Sequence, residues 1–135
     1  MPSSKKIRDL EAIKLDESIE NEEFQDLSIG FFNRHLSTLT DEISAKEVMR
    51  LFKPKEESEN NEGNEIETIV AETSKNGNTL VTLIQDNLMD DSLKGEKYIM
   101  ELERMDGSWN VVYVKKNWKC RDGRGHTDWG IELCL

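Results

Sequence analysis

The residues best suited to chemistry lie at the end of the chain, in residues 118–135. His126 and Asp128 stand two positions apart in a glycine-rich stretch. Histidine titrates near neutral pH and is therefore a candidate general base, while Arg121 or Arg124 could hold an anionic substrate. This pattern supports one alternative, a small-molecule enzyme of the isomerase or hydrolase kind. A nucleophile that such a histidine would activate is not evident from the sequence.

The same stretch contains both cysteines of the chain, Cys120 and Cys134. With His126 and Asp128 they form a donor set that zinc accepts, but structural zinc sites usually pair ligands two to four positions apart. These cysteines are fourteen positions apart, so we expect no metal and no other cofactor. A disulfide would close a loop of about 15 residues and stabilise the fold by about 3 kcal/mol in the chain-entropy model. A reduced pair is the alternative in a cytosolic protein.

We favour a structural role for this segment. Cys120 and Cys134, bonded or merely packed, would then fix the C terminus on the preceding sheet, and Trp118 and Trp129 would bury their rings. In this interpretation His126 makes hydrogen bonds, and the glycines permit the tight path of the chain.

Charge is unevenly distributed along the chain. The 135 residues have a formal net charge of −10, yet residues 115–124 contain five basic residues and only one acidic residue, Asp122. The overall acidity argues against a nucleic-acid partner, because phosphate binding requires a local excess of Lys and Arg. The basic end could instead contact an acidic protein partner, or it could simply be the exposed side of a final strand.

The elements that would position these residues begin with a helical half, residues 3–54. A partial apolar period predicts a helix over 3–20. The spacing from Phe24 to Leu39 follows the i, i+3/i+4, i+7 rule and predicts a longer amphipathic helix. Gly30 would lie inside it, where glycine costs up to about 1 kcal/mol relative to alanine.

A third helix is predicted over 45–53. Ser44 and Glu47 form a capping box, in which the two side chains satisfy nearby backbone N–H groups, and Pro54 stops the helix. Residues 55–65 contain five glutamates and no apolar residue. They favour an acidic, solvated connection to the second half of the chain.

The second half predicts an antiparallel sheet over 66–118. Four strands are expected: Ile66–Ser74, Thr79–Leu88, Glu96–Met105 and Ser108–Trp118. Asn76-Gly77 and Asp106-Gly107 supply the positive-φ positions of two-residue hairpin loops. In the second hairpin such a loop places Arg104 at the turn end of a face formed by Tyr98, Met100, Leu102, Trp109, Val111 and Tyr113. In the first hairpin it groups Ile69, Ala71, Leu80, Thr82 and Ile84.

Helices followed by an antiparallel meander are typical of an α+β fold, with two to three helices packed on a curved sheet of about four strands. In this order, and in the run Gly107-Ser108-Trp109-Asn110-Val111-Val112, the chain resembles the cystatin-like α+β roll of the nuclear transport factor superfamily over roughly residues 20–118. The resemblance implies a cone that encloses a pocket, and often a dimer through the sheet. The superfamily includes isomerases, dehydratases, ligand binders and protein-binding modules, so the fold does not select a function.

The leading hypothesis is a single domain, residues 1–135, that acts as a non-catalytic binding module for a small molecule or a protein. Five residues of the roll pocket or sheet face are the predicted ligand contacts: Tyr98, Met100, Arg104, Trp109 and Tyr113. A C-terminal tail, 119–135, follows the sheet. No stretch approaches the ~20 apolar residues of a membrane span. The N terminus lacks the apolar core of a signal peptide, which favours the cytoplasm, with export as the alternative if a leader is missing.

Overall fold

The computed structural model describes residues 22–54, 66–88 and 90–135. Within these ranges the chain forms an α+β arrangement of one antiparallel sheet and two helices. The strands are β1 (Gln25–Leu27), β2 (Ile66–Thr73), β3 (Thr79–Asp86), β4 (Leu93–Met105) and β5 (Ser108–Cys120), and the helices are α1 (Gly30–Thr38) and α2 (Ala45–Phe52). The spatial order is β1-β5-β4-β3-β2. The predicted helix 3–20 and the acidic connection 55–65 lie outside the described residues.

The stretch from Phe24 to Leu39 is not a single helix, and that prediction is wrong in its first part. Residues 25–27 form β1, whose Asp26 pairs with Lys115 on β5, and Gly30 is the first residue of α1. A helix over the whole stretch would leave this edge of β5 without backbone partners. It would also place Gly30 in a helix interior, where glycine is unfavourable.

Helix α2 begins where the capping box predicts. Ser44 Oγ accepts a hydrogen bond from the backbone N–H of Glu47 at 3.2 Å, and the hydroxyl donates to Glu47 Oε1 at 3.2 Å. Val48 is fully buried. The Phe32 ring of α1 meets the Phe52 ring of α2 edge to face, with ring centroids 5.1 Å apart. This contact joins the two helices into one layer on the sheet.

The loop of the β4–β5 hairpin has the predicted two residues. Asp106 and Gly107 both have positive φ, 51° and 81°, as a type I′ turn requires. Arg104 lies opposite Trp109 in the register. The sequence therefore predicted the geometry nearest the loop correctly.

Farther from the loop the predicted register is wrong, because β5 contains a β-bulge. Val112 is an extra residue without a partner on β4, and one extra residue exchanges the two faces of the strand beyond it. Met100 consequently pairs with Val114, and Tyr113 pairs with Glu101. Tyr113 lies on the face opposite Met100.

The predicted faces of the β2–β3 hairpin are also wrong. Its loop contains three residues, 75–77, because Ser74 N–H donates to the carbonyl of Asn78 at 2.7 Å. Gly77 has a φ of +89°, whereas Asn76 does not adopt a positive φ. A three-residue loop with a left-handed glycine replaces the type I′ turn. The register shifts by one, and the helix-facing group is Ile69, Ala71, Val81 and Leu83.

The core lies between the helix layer and one face of the sheet. Its buried members are Leu36, Ala45, Val48, Met49, Val81, Leu83, Tyr98, Met100, Leu102, Val111 and Val114. Asn33 attaches α1 to β5, since its Nδ2 donates to the Val111 carbonyl at 2.9 Å and its Oδ1 accepts from the Val111 N–H at 2.8 Å. Neither helix of the described ranges has the length and apolar character needed to cross a membrane.

Candidate functional site

An open groove lies at the loop end of the β4–β5 hairpin, next to the connection between α1 and α2. Its volume is about 370 Å³, which is within the usual range for small-ligand sites. We call it the turn groove, and it is lined by Leu36, Leu39, Thr40, Asp41, Glu42, Ile43, Arg104, Gly107, Ser108 and Trp109. Two of the predicted ligand contacts, Arg104 and Trp109, are among these residues.

Arg104 lies across the ring of Trp109, with its guanidinium carbon 4.3 Å from the ring centroid. Its Nη1 donates to the Gly107 carbonyl at 3.1 Å, and its Nη2 lies 3.3 Å from Glu42 Oε1. The Glu42 side chain is 82% exposed, and an exposed ion pair of this kind contributes little to stability. A ligand group can therefore replace Glu42 on the guanidinium at little energetic cost.

Trp109 forms a fixed wall of the turn groove. Its indole Nε1 donates to the Ile43 carbonyl at 2.7 Å. Ile43 immediately precedes Ser44, the N-cap of α2, so the start of the helix holds this carbonyl in place. Two local features therefore build the groove: the two-residue hairpin loop and the capped helix.

The other three predicted ligand contacts lie elsewhere. Tyr98 and Met100 belong to the core and are 5% and 0% exposed. The Tyr98 hydroxyl lies 3.3 Å from Glu96 Oε2. Tyr113 is half-buried on the opposite face of the sheet, where Lys115 Nζ lies 5.2 Å from its ring centroid. The turn groove thus brings together only Arg104 and Trp109 of the predicted set.

At the other end of the hairpin, residues 121–135 fold back against β5, and we call them the C-terminal segment. A disulfide joins Cys120 to Cys134, with Cα atoms 5.5 Å apart. Trp118 and Gly130 pair as a short antiparallel bridge, in which each N–H donates to the other's carbonyl at 2.9 and 2.8 Å. Of the two states that the sequence left open for the cysteines, the structure contains the bonded one.

Further hydrogen bonds attach this segment to the loop between β3 and β4. Arg121 Nε donates to the Asp90 carbonyl at 2.8 Å, and its Nη2 donates to the Leu88 carbonyl. Ser92 Oγ donates to the Leu135 carbonyl at 2.6 Å. The segment is therefore held at several points besides the disulfide.

Both ring nitrogens of His126 face backbone carbonyls. Nδ1 lies 2.8 Å from the Asp128 oxygen, and Nε2 lies 2.8 Å from the Glu132 oxygen. A carbonyl can only accept, so both bonds form only when both nitrogens carry a hydrogen. The bond to the Asp128 carbonyl is the largest influence that raises the pKa of His126 above its ordinary value of 6.5; burial opposes it, and the bond to Glu132 adds to it. In this arrangement neither nitrogen has a lone pair available to take a proton from a substrate.

The two tryptophans near the C terminus are fixed differently. Trp118 Nε1 donates to a carbonyl of the C-terminal segment at 2.9 Å. Two ammonium groups lie near the Trp129 ring, Lys97 Nζ at 4.6 Å and Lys119 Nζ at 4.8 Å from its centroid. A Cβ at Gly95 would lie 3.2 Å from the tip of this ring, so a glycine there keeps the space that the ring occupies. Both rings are half-buried.

Some of the basic residues of 115–124 are paired or hydrogen-bonded within the fold. Lys119 Nζ lies 3.1 Å from Asp86 Oδ2, and Lys116 Nζ lies 3.9 Å from Glu96 Oε2. Arg121 is engaged with backbone carbonyls. Two of the five basic residues are therefore in ion pairs within the fold.

Sequence reasoning did not identify the connection between α1 and α2 as part of a site. Asp41 and Glu42 supply acidic groups at the turn groove, and Ile43 supplies the carbonyl that orients Trp109. The available signal was the capping box, because a segment that immediately precedes a well-defined helix start has a defined position.

Comparisons of this chain with protein-family models, with curated proteins and with solved structures find no match. The features that bear on function are therefore the two ends of the β4–β5 hairpin. One end carries an open groove with exposed charged groups, and the other carries a closed, disulfide-bonded segment.

Proposed function

We propose that the protein is a non-catalytic binding module and that the turn groove holds its ligand. The observation that carries the proposal is the position of Arg104 and Trp109 together in an open groove of about 370 Å³. An aromatic wall with a stacked guanidinium offers both apolar contact area and directed hydrogen-bond donors.

Arg104 favours an acidic group on the ligand, beside a compact apolar part, although Asp41 and Glu42 also line the groove. The apolar part would contact Trp109 and Ile43. The acidic group would replace Glu42 on Arg104, because a guanidinium binds a carboxylate through two parallel hydrogen bonds. A small acidic molecule and an acidic side chain of a protein partner both have this chemistry.

The alternative function, an isomerase or hydrolase that uses His126 and Asp128, has less support. Both ring nitrogens of His126 face carbonyls at 2.8 Å, and neither residue lines the turn groove. Asp128 is exposed, with Oδ1 3.9 Å from His126 Nδ1. A binding role for the loop end therefore remains the better interpretation.

We also propose that the sheet and helices form the cone-like roll of the nuclear transport factor superfamily. The support is the helix layer on one face of an antiparallel meander, with a groove at one end of that layer. A homodimer through the sheet would use the face away from the helices, where Ile66 and Val70 are exposed. Sedimentation of the purified protein tests this, and a monomer at all concentrations would contradict it.

The cellular compartment of the protein, which decides the redox state of its cysteines, is also a proposal. We propose the cytoplasm as the compartment, where the Cys120–Cys134 pair would be kept reduced. Export would instead preserve the disulfide. Alkylation of the cysteines in intact cells, followed by mass measurement, distinguishes the two states.

The proposed function is tested by binding of small aryl carboxylates, with matched aryl amines as the comparison series. In ¹H–¹⁵N spectra the Trp109 indole N–H should shift with the carboxylates, and Arg104→Gln should abolish this shift. Arg34→Gln is the matched control, because Arg34 also stacks on an aromatic ring, 5.2 Å from the Phe31 centroid, but lies outside the groove. Carboxylates that shift Trp109 equally in the Arg104→Gln variant, or that shift only residues outside the groove, would contradict the proposal.

A further inference from the structure

Three metal-binding donors meet where the C-terminal segment crosses β5. The sulfurs of Cys120 and Cys134 and a ring nitrogen of His126 all lie within 4.8 Å of one another. In the oxidised chain the disulfide occupies both sulfurs, so no thiolate is available as a ligand. Reduction would change the chemistry of this cluster.

We propose that reduction of the Cys120–Cys134 disulfide converts this cluster into a Zn²⁺ site with Cys120, Cys134 and His126 as its three protein ligands. A dithiol reductant supplies two electrons and two protons, breaks the S–S bond, and itself becomes a disulfide. Zinc then displaces the two thiol protons as it binds the thiolates, and a third proton leaves the His126 nitrogen that becomes a ligand. Water fills the fourth position, as in other sites with three protein ligands.

The donor set and its dimensions suit zinc. Thiolate and imidazole select Zn²⁺ over Mg²⁺ or Ca²⁺, which prefer oxygen ligands. Tetrahedral Zn–S bonds of about 2.3 Å and Zn–N bonds of about 2.0–2.1 Å place the donors roughly 3.5–3.8 Å apart. The donors already lie within 4.8 Å of one another, so the site needs side-chain adjustment rather than refolding.

The donors remain close after reduction because other bonds hold the segment. The Trp118–Gly130 backbone bridge and the Arg121 contacts to the β3–β4 loop do not involve sulfur. Ser92 also fixes the carbonyl of Leu135, next to Cys134. A metal site whose ligands are already positioned loses less conformational entropy on binding.

The surroundings of His126 match those of a metal ligand. One ring nitrogen would exchange its carbonyl contact for zinc, and the other would keep its N–H bond to a backbone carbonyl at 2.8 Å; such outer bonds orient metal-binding histidines. Two glycines keep space at the cluster. A Cβ at Gly125 would lie 2.9 Å from Cys120 Sγ, and one at Gly130 would lie 3.4 Å from the His126 ring.

The cysteines are too far apart in the sequence for the rule that zinc ligands stand two to four positions apart. That rule, however, describes ligands on short local loops. Here the fold supplies the proximity instead. Cys120 ends β5, and the backbone bridge at Gly130 returns the chain to the same strand, which brings Cys134 beside Cys120. The site could therefore not be found from spacing alone.

The test is a zinc titration of the full chain in competition with a chromophoric chelator. The oxidised protein is compared with protein reduced by dithiothreitol, which is then removed without oxygen. We expect one zinc ion per reduced chain and none per oxidised chain. Co²⁺ in place of zinc should give thiolate charge-transfer and tetrahedral d–d bands, and Zn²⁺ should shift the ¹⁵N resonances of the His126 ring; neither measurement requires a variant.

His126→Gln should lower the zinc affinity of the reduced chain at least about 100-fold, the upper end of the effect of losing an outer partner. His35→Gln is the matched control, because His35 is exposed on α1, and it should leave the affinity unchanged. A reduced wild-type chain that binds no more zinc than the oxidised chain would overturn the proposal. Unchanged affinity in His126→Gln, with no shift of the His126 ring in the wild type, would do the same.

Discussion

The two ends of the β4–β5 hairpin are built around tryptophans on the same strand, yet one end is open and the other is closed. Trp109 donates its indole N–H to the Ile43 carbonyl at 2.7 Å, and Trp118 donates to the Glu132 carbonyl at 2.9 Å. In both cases the carbonyl belongs to a segment that folds back onto the hairpin. The same kind of tryptophan–carbonyl hydrogen bond therefore occurs both beside an open groove and beside a closed segment.

The difference lies in what surrounds each tryptophan. At the loop end, the covering segment leaves a groove, and Arg104 forms only an exposed ion pair with Glu42. At the C-terminal end, the disulfide and the two carbonyl bonds of His126 hold the groups together. Binding requires polar groups that can exchange partners, whereas a fixed segment requires groups that are already satisfied. Under the proposed function, the loop end serves recognition, while the C-terminal end anchors the chain.

The largest expected effect comes from removing the disulfide. The double variant Cys120→Ser/Cys134→Ser should lower the free energy of unfolding by about 3 kcal/mol, because a loop of about 15 residues is no longer closed in the unfolded state. Denaturant unfolding in the presence of a chelator measures this. Binding at the turn groove should be unchanged, and a parallel loss of binding would show that the two ends are not independent.

Two glycines, one at each end, provide a matched pair. Gly107→Ala should cost about 1–2 kcal/mol, because Gly107 has a φ of +81° but a Cβ there would meet no atom within 4 Å. Gly125→Ala should cost more, since its φ is +145° and a Cβ would lie 2.9 Å from Cys120 Sγ. Thermal unfolding of both variants measures the difference. Equal destabilisation would mean that the C-terminal end is not closely packed.

The pH dependence of stability should come partly from His126. Its pKa is raised in the folded oxidised chain, chiefly by the Asp128 carbonyl. The stabilisation is therefore fully present below the ordinary value of 6.5 and is lost as the pH rises through the folded pKa. The difference in the free energy of unfolding between wild type and His126→Gln should be largest at acidic pH and should decrease as the pH rises through the folded pKa of His126.

The smallest effect on stability is expected at the open end. Arg104→Gln removes an exposed ion pair and should lower the free energy of unfolding by less than about 1 kcal/mol, while removing ligand binding at the turn groove. Denaturant unfolding and the carboxylate titration separate the two effects. A large loss of stability would indicate that Arg104 is mainly structural.

The sequence predicted the local features of the fold well. The capping box at Ser44 and the two-residue loop at Asp106-Gly107 were confirmed, because each depends on a few adjacent residues. Arg104 and Trp109 were placed correctly opposite each other for the same reason, since they flank that loop.

Predictions that depended on counting along a strand were less successful. The bulge at Val112 moved Tyr113 to the other face, and the three-residue loop at Gly77 exchanged the faces of the first hairpin. Each error is a register shift of only one residue. Because side chains along a strand alternate between the two faces of the sheet, a shift of one residue moves every side chain beyond it to the other face. Neither a bulge nor a loop of three residues has a unique local signal in this chain.

The sequence by itself determined where the helix cap and the second hairpin loop form, because short-range sterics and hydrogen bonds specify them. It also indicated that Cys120, His126 and Cys134 belong to one unusual segment. Only the tertiary structure decided that β5 and the returning chain bring these three residues within 4.8 Å of one another. It also decided that Arg104 and Trp109 face the connection between α1 and α2. Such proximity comes from long-range packing, which no local pattern encodes.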